Sequence, residues 1–282
     1  MADTPLVSVI TPSYQQGIFI EATIDSVKMQ TYPRIEHIVI DAASTDETVS
    51  ILERHDGSYN LRWISEPDAG QADAIRKGFA MAGGSILCWL NSDDIYLTPD
   101  VITRVVEYFS VYPHADVLCG GGMCIDRDGR WIKPISVRPE RVSSQALNVK
   151  YELMQPAVFF RKKVAERISF DLDLHFAFDW VFFRNASLRF NFLPVADTWA
   201  GYRAWGDNKS QSGGYKRSLE ILEVQRRFVG RRSWRYWTVA SFVALHRIAA
   251  MLPARVRPAA HACVSRCSFL VSGLLRHRVT PV

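Results

Sequence analysis

Cysteine is scarce in this chain, with five in 282 residues at positions 88, 119, 124, 263 and 267. They form neither a Cys-x-x-Cys pair nor a Cys/His cluster at zinc spacing, which excludes a disulfide scaffold and a zinc ribbon. The phosphate-cradling pattern Gly-x-x-x-x-Gly-Lys-Ser/Thr is missing, as is Gly-x-Gly-x-x-Gly after a strand. A P-loop ATPase and a standard dinucleotide oxidoreductase are thereby disfavoured. The lack of Gly-x-Ser-x-Gly argues likewise against an α/β-hydrolase. No long apolar run is free of charge: the longest stretch without Asp, Glu, Lys or Arg is Thr4–Ile20, broken by Pro12 and Gln15-Gln16-Gly17. A simple membrane-spanning helix is not expected. The start MADTPLVSV has no basic segment and no small-residue cleavage site, so a reducing, cytosolic setting is expected.

From Val224 onward acidic residues and lysine are missing altogether, while eleven arginines remain. The whole chain carries +5, so that tail of +11 leaves −6 on the rest. An acidic body with a basic tail points to an anionic partner. Apolar residues make up 48% and charged residues 22%, enough for a sizeable core.

What is present is an alternation of two periods. Leu6–Thr11 reads as a strand and Phe19–Gln30 as a helix with Ile20, Ile24 and Val27 on one face. Glu36–Asp41 is the next strand, and Glu47–His55 the next helix. Then come a strand at Leu61–Glu66, a helix near Gln71–Ala82 stopped by Gly83-Gly84, an apolar strand at Ser85–Leu90 and a helix from Pro99 to Tyr112. Such alternation builds an α/β fold on a mostly parallel sheet, with ligands at the carboxyl ends of its strands. Beyond Asp116 the pattern loosens. A hairpin turn is expected at Asp126–Gly129, a strand at Pro156–Phe160 and a helix at Phe178–Leu188, with Gly120-Gly-Gly122 marking a strand end. The domain boundary is placed at 213/214: a catalytic domain over 1–213, then a helical basic extension over 214–282.

Acidic residues stand where three of these strands should end: Asp41, then Glu66 with Asp68, then Asp93-Asp94. Several carboxylates on one rim repel unless a cation or hydrogen-bond donors compensate. A hard divalent ion, bound through one or two carboxylates and completed by substrate phosphates, resolves the conflict.

Five segments now occur in order: Val9-Ile-Thr-Pro-Ser-Tyr14; Gln30-Thr-Tyr-Pro33; Ile38–Asp46; Ser65–Gly78; and Trp89-Leu-Asn-Ser-Asp-Asp94. The set resembles a family-2 type glycosyltransferase with the GT-A nucleotide-sugar-binding fold, over about residues 5–210. The Leu-Asn-Ser-Asp-Asp form is similar to a bacterial branch associated with surface polysaccharides. The resemblance implies an inverting transferase that uses a nucleoside-diphosphate sugar, with uridine the favoured base, and Mg²⁺ or Mn²⁺. Carried over by position, Thr11, Pro12 and Tyr14 would line the nucleotide pocket and Asp41 would accept from the base. Gln71 and Asp73 would lie along the donor, beside Ser92. Asp93, with Asn91 in place of the first acid, would hold the metal. Asp179, in Leu174-His-Phe-Ala-Phe-Asp179-Trp-Val-Phe-Phe, would be the base that deprotonates the acceptor, ahead of Asp171 and Asp173. Trp180 and Gln155 are implied acceptor contacts, and Arg203 and Lys209 phosphate contacts. Trp205 stands near the position where relatives often have a His.

The implied acceptor is a glycan or lipid-linked glycan. Residues 231–252 group Arg and Trp ahead of an apolar run, and a second apolar stretch reaches Leu275 before Arg276-His-Arg278. Amphipathic helices on an anionic membrane surface are expected, so that the protein sits peripherally on the inner face of the cell membrane. Ordinary packing of these helices on the catalytic domain remains open. Nucleic acid is disfavoured as a partner, since no recognised binding module is visible. The alternative of another class is a non-catalytic nucleotide-sugar-binding protein held at the membrane by its tail, an alternative that Asn91 and Trp205 keep alive.

Overall fold

The computed structural model describes residues 4–206, 208–253, 255, 256, 259, 260 and 263. Its contacts divide the chain into two compact units, Met1–Gln211 and Ser212–Val282.

The first unit is built on a nine-stranded sheet. Its opening half repeats strand and helix: β1 (Val7–Ser13), α1 (Ile20–Lys28), β2 (Ile35–Asp41), α2 (Thr48–His55), β3 (Leu61–Ser65), α3 (Gln71–Met81) and β4 (Ile86–Trp89). There follow β5 (Ile95–Tyr96), α4 (Val101–Val111), β6 (Val117–Ile125), β7 (Trp131–Ile135), α5 (Ser144–Leu147), β8 (Val158–Arg161), α6 (Lys162–Arg167), α7 (Phe178–Ser187) and β9 (Phe192–Arg203). The strand order is β3-β2-β1-β4-β8-β6-β9-β5, with β7 paired to β6 off this path. Pairs β3-β2, β2-β1 and β1-β4 are parallel, whereas β8 runs antiparallel to both β4 and β6. The short crossover helices impose the parallel order, and the sheet's four-strand half therefore gathers its carboxyl ends on one rim.

Burial follows the apolar content. β1 is buried along its whole length, as are all four residues of β4, which fits strands covered on both faces. Ile20, Ile24, Ile51, Leu52 and Val39 close one core between α1, α2 and the sheet. Close backbone approach explains one sequence feature. A side chain at Gly78 of α3 would meet Ile10 Cγ2 at 2.4 Å, so α3 lies against β1 only because this position has none.

In the later half one expectation fails and one strand goes unforeseen. Gly120-Gly-Gly122 does not end a strand; it lies inside β6. A Cβ on Gly120 would lie 2.3 Å from the Trp199 ring, and one on Gly122 2.4 Å from the carbonyl oxygen of Ala200. These glycines let β6 and β9 pair beneath a buried tryptophan. The twelve-residue β9 itself shows no sequence signal, because Pro194, Asp197 and Gly201 interrupt its alternation and its register against β6 shifts twice.

The second unit holds α9 (Gly214–Val229) and α10 (Trp234–Met251), preceded by α8 (Lys209–Ser212) across the boundary. Glu223 pairs with Arg226 and Arg227 on α9, at 2.7 and 3.1 Å. Trp234 and Trp237 of α10 are exposed. No described helix is long and apolar enough to cross a membrane. The second apolar stretch of the tail, with Cys267 and Arg276-His-Arg278, lies outside the described residues.

His37 of β2 is fully buried between two hydroxyls, with Nε2 2.8 Å from Thr11 Oγ1 and Nδ1 2.6 Å from Tyr59 Oη. Burial pushes its pKa down from 6.5 to about 3. Between those values the unfolded chain takes up a proton that the folded chain refuses, so stability is lost as pH falls from 6.5 toward 3. Chemical unfolding across pH 7 to 4 should therefore show a slope about one proton shallower in His37→Gln than in the parent chain. Equal slopes would mean that His37 is charged in the fold.

Candidate active site

The site grows from the ends of β2, β3 and β4. Asp41 closes β2 fully buried, and its oxygens are held by three donors: Ser44 Oγ at 2.5 Å, Ser44 N at 2.9 Å and Ser65 Oγ at 2.7 Å. This ties the end of β2 to the end of β3. Tyr14 follows β1 and is 61% exposed at the rim, while Pro12 is buried. Thr11 does not line a pocket with its side chain: it is fully buried and its hydroxyl is spent on His37. An inward-facing position on a parallel strand buried on both faces leaves no other course.

Asp73 sits in the first turn of α3, where it pairs with Arg76 at 2.6 Å and accepts from Ala69 N at 3.3 Å. The Arg76 guanidinium holds its carboxyl below the usual range. Asp73 thus organises the loop before α3. Gln71, the first residue of that helix, reaches across to the segment after β4. Its Nε2 donates to Asn91 Oδ1 at 2.8 Å, and its Oε1 accepts from Lys209 Nζ at 3.1 Å.

Residues 91–94 are the hub, with Ser92 buried among them. Asn91 Nδ2 donates both to Asp94 Oδ2 and to Gln155 Oε1, each at 3.1 Å. Gln155 in turn donates to the carbonyl of Trp89 at 2.7 Å. Asn91, expected at the metal, is engaged in this network: its oxygen accepts from Gln71 and its nitrogen faces a carboxylate. Gln155, expected at the acceptor, is buried with both amide atoms committed to this network. Asp94 is only 1% exposed and also accepts from Arg203 N at 2.9 Å. Burial and the neighbouring Asp93 push its carboxyl well above the usual carboxylate range.

Asp93 points the other way. Its Oδ2 accepts from Trp205 Nε1 at 3.1 Å, and burial raises its pKa. Arg203 is locked behind it: Nε donates to the carbonyl of Asp93 at 2.8 Å, and Nη1 to those of Asp126 and Arg127 at 3.1 and 2.8 Å. The guanidinium lies 4.9 Å from the centroid of the Phe19 ring, which meets Trp205 edge-on. No group of three or more His, Cys, Asp or Glu that could hold a metal is found among the described residues. Asp93 is a carboxylate that could join substrate phosphates around a divalent ion.

Asp179 stands in the first turn of α7, with its Oδ1 2.7 Å from Trp180 N. Trp180 is not an acceptor platform: it is 5% exposed and its indole donates to the carbonyl of Leu147 at 2.6 Å, which anchors α7 to α5. Lys209 Nζ lies 5.3 Å from the ring of Phe178, next to Asp179. Asp171 and Asp173 lie in the loop before α7, with Asp173 exposed. Sequence reasoning missed Tyr151, which stacks on Phe183 of α7 with ring centroids 6.4 Å apart. Burial, then the Asp179 carboxylate, raises its hydroxyl well above the usual range. No motif marks Tyr151; its place follows only from the fold.

Because Asn91 supplies the hydrogens that Asp94 and Gln155 accept, Asn91→Asp should remove two donors and add a third carboxylate to the cluster. Thermal unfolding without metal should show a loss of about 1–3 kcal/mol. Mn²⁺ should recover part of it in the variant. An unchanged Tm would show that the network is not holding this segment.

Comparison with known proteins agrees with the geometry. A family model described as glycosyl transferase family 2 matches residues 8–169. An uncharacterised glycosyltransferase of Mycobacterium tuberculosis is 37% identical over 194 residues, covering 67% of this chain and 71% of that protein. A PGL/p-HBAD biosynthesis glycosyltransferase of Mycobacterium bovis is 26% identical over 209 residues, 72% of this chain and 78% of that protein. Among solved structures, S. aureus TarS 1-349 in complex with UDP-GlcNAc superposes with a TM-score of 0.62 at 17% identity, covering 93% of this chain and 88% of that one. The mannosyltransferase PcManGT of Pyrobaculum calidifontis, with GDP-Man and Mn²⁺, gives 0.60 at 19%, covering 95% and 81%. The mixed sheet flanked by helices is thus the GT-A fold expected from the sequence. The chain belongs to glycosyl transferase family 2.

Proposed function

We propose that this glycosyltransferase is an inverting enzyme that moves a sugar from a nucleoside-diphosphate donor to a hydroxyl of a glycan or lipid-linked glycan. The observation that carries the reading is a line of contacts from Asn91 through Gln71 and Lys209 to Phe178. It couples the segment bearing Asp93 to the helix turn bearing Asp179, so the two groups that such a transfer needs are set by one network.

The donor's base would lie near Tyr14 and Asp41, and its diphosphate near Asp93 and Arg203. Mg²⁺ or Mn²⁺ held by Asp93 would neutralise charge growing on the departing diphosphate. The chain's own contribution there is the Arg203 guanidinium. Its Nε and Nη1 are fixed to carbonyls, and its charge would face the phosphates of the donor. Asp179 would take the proton of the acceptor hydroxyl as that oxygen bonds to the anomeric carbon and the diphosphate leaves from the opposite side. One displacement inverts the configuration. A diphosphate leaves without protonation, so one carboxylate base is enough.

The donor class draws support from TarS with UDP-GlcNAc and the mannosyltransferase with GDP-Man and Mn²⁺. Uridine is the base we favour. The role in surface glycan synthesis draws support from the relative named for PGL/p-HBAD biosynthesis. We place the protein on the inner face of the cell membrane, held by the basic residues of 224–282. The exposed Trp234 and Trp237 of α10 suit an anionic interface.

Replacement of the base tests the reaction. Asp179→Asn should lower sugar transfer about 10²- to 10⁴-fold and leave nucleotide affinity within about twofold. Product analysis by NMR should show the anomeric configuration inverted in the parent enzyme. Undiminished transfer by the variant would remove Asp179 from the mechanism. A parent chain that binds donor and neither hydrolyses nor transfers its sugar would favour a binding protein.

A further inference from the structure

A second surface on the catalytic unit has properties that the transfer reaction does not use. The hairpin formed by β6 and β7 carries two large apolar side chains at its end: Trp131 is 71% exposed and Ile132 55%. The register slips between Cys124 and Ile125, where Ile125 faces Trp131 and Cys124 faces Lys133, so Ile132 is the extra residue of a bulge. The bulge breaks the alternation that would otherwise turn one of these neighbours inward. Along residues 126–138 Arg127, Arg130, Lys133 and Arg138 are exposed, against the acids Asp126 and Asp128, the latter 3.6 Å from Arg130.

The tip is held firmly. Asp126 Oδ1 accepts from Asp128 N at 2.9 Å and Arg130 N at 2.8 Å, and Gly129 takes φ +84° to close the turn. From the other side Arg203 Nη1 grips the carbonyls of Asp126 and Arg127. Arg203 is the side chain that also holds the carbonyl of Asp93. An exposed tryptophan is thus mounted on a rigid turn whose base is bonded to the candidate active site.

A single exposed apolar residue is ordinary, but an adjacent Trp–Ile pair on a segment with an excess of exposed cations has a specific complement. The edge of β7 could in principle receive a strand from another protein. Pro134 removes a backbone donor from that edge and Lys133 places a charge on it, both of which oppose strand addition. A fluid anionic interface needs no such pairing. It accepts an indole at headgroup depth and attracts the surrounding guanidinium and ammonium groups. We infer that the 126–135 hairpin is a membrane-docking element that inserts Trp131 and Ile132 into an anionic lipid surface and sets the active site beside it. This inference stands on the hairpin alone and survives if the transfer chemistry is assigned differently.

The test uses the full chain. An environment-sensitive fluorophore is attached at Ile132→Cys in a chain that also carries Cys263→Ser and Cys267→Ser; Cys88, Cys119 and Cys124 are buried. Phosphatidylglycerol vesicles should blue-shift and brighten its emission, and phosphatidylcholine vesicles should not. Without the label, Trp131→Ser with Ile132→Ser should weaken partition onto phosphatidylglycerol about tenfold at unchanged Tm, since both side chains are exposed. Three results would overturn the inference. One is a chain that sediments with vesicles while the label stays in a watery environment, which would give the membrane contact to another part. The second is no vesicle binding at all. The third is a shift that grows with protein concentration in the absence of lipid, which would make the hairpin a contact between copies.

Discussion

Asp94 carries a carboxyl group that is almost wholly buried in the segment between β4 and β5. Such a group costs several kcal/mol unless donors surround it. Here they come from two directions, Arg203 N on β9 and Asn91 Nδ2 three residues back. Everything else at the site hangs on these two bonds. Arg203, placed by Asp94, grips the carbonyl of Asp93 and the turn of the β6-β7 hairpin. Asn91, placed by Asp94, holds Gln71 and Gln155, and through Gln71 reaches Lys209 and the start of α7.

This arrangement gives a physical reason for the amide at position 91. A third carboxylate between Asp93 and Asp94 would add repulsion to a pair already pushed up in pKa by burial. It would also leave Gln155 Oε1 and Asp94 Oδ2 without their donor. Asn91 acts here as a hydrogen-bond donor to Asp94 and Gln155. Trp205 follows the same logic. Its indole can only donate, and it donates to Asp93 Oδ2.

The early half of the fold was legible because each element spoke for itself. Apolar runs such as Ile86–Trp89 and helices such as Gln71–Met81 follow local periodicity, and crossovers fix their parallel order. The later half was not. β9 is stabilised by pairing with a glycine-opened β6, a relation between residues some eighty positions apart that no local window contains. The site divides in the same way. That acids would stand near the ends of β2 and β3 could be read from strand ends, and residues 91–94 from an ordered set of segments. Which of those side chains face inward could not, because that depends on partners such as His37 for Thr11, Leu147 for Trp180 and Gln155 for Asn91. Tyr151 had no signal at all, since its meaning comes only from lying against α7.

The segment Asn91–Asp94, braced by Arg203, is proposed as the seat of a donor diphosphate with one protein carboxylate for its ion. Calorimetric titration of UDP and GDP, each with and without Mn²⁺, measures this directly in the parent chain and in Asp93→Ala. Metal-strengthened binding of one nucleotide is expected, lost in the variant, while the variant's unfolding curve stays close to the parent's. Equal binding by both chains, or binding indifferent to Mn²⁺, would contradict it.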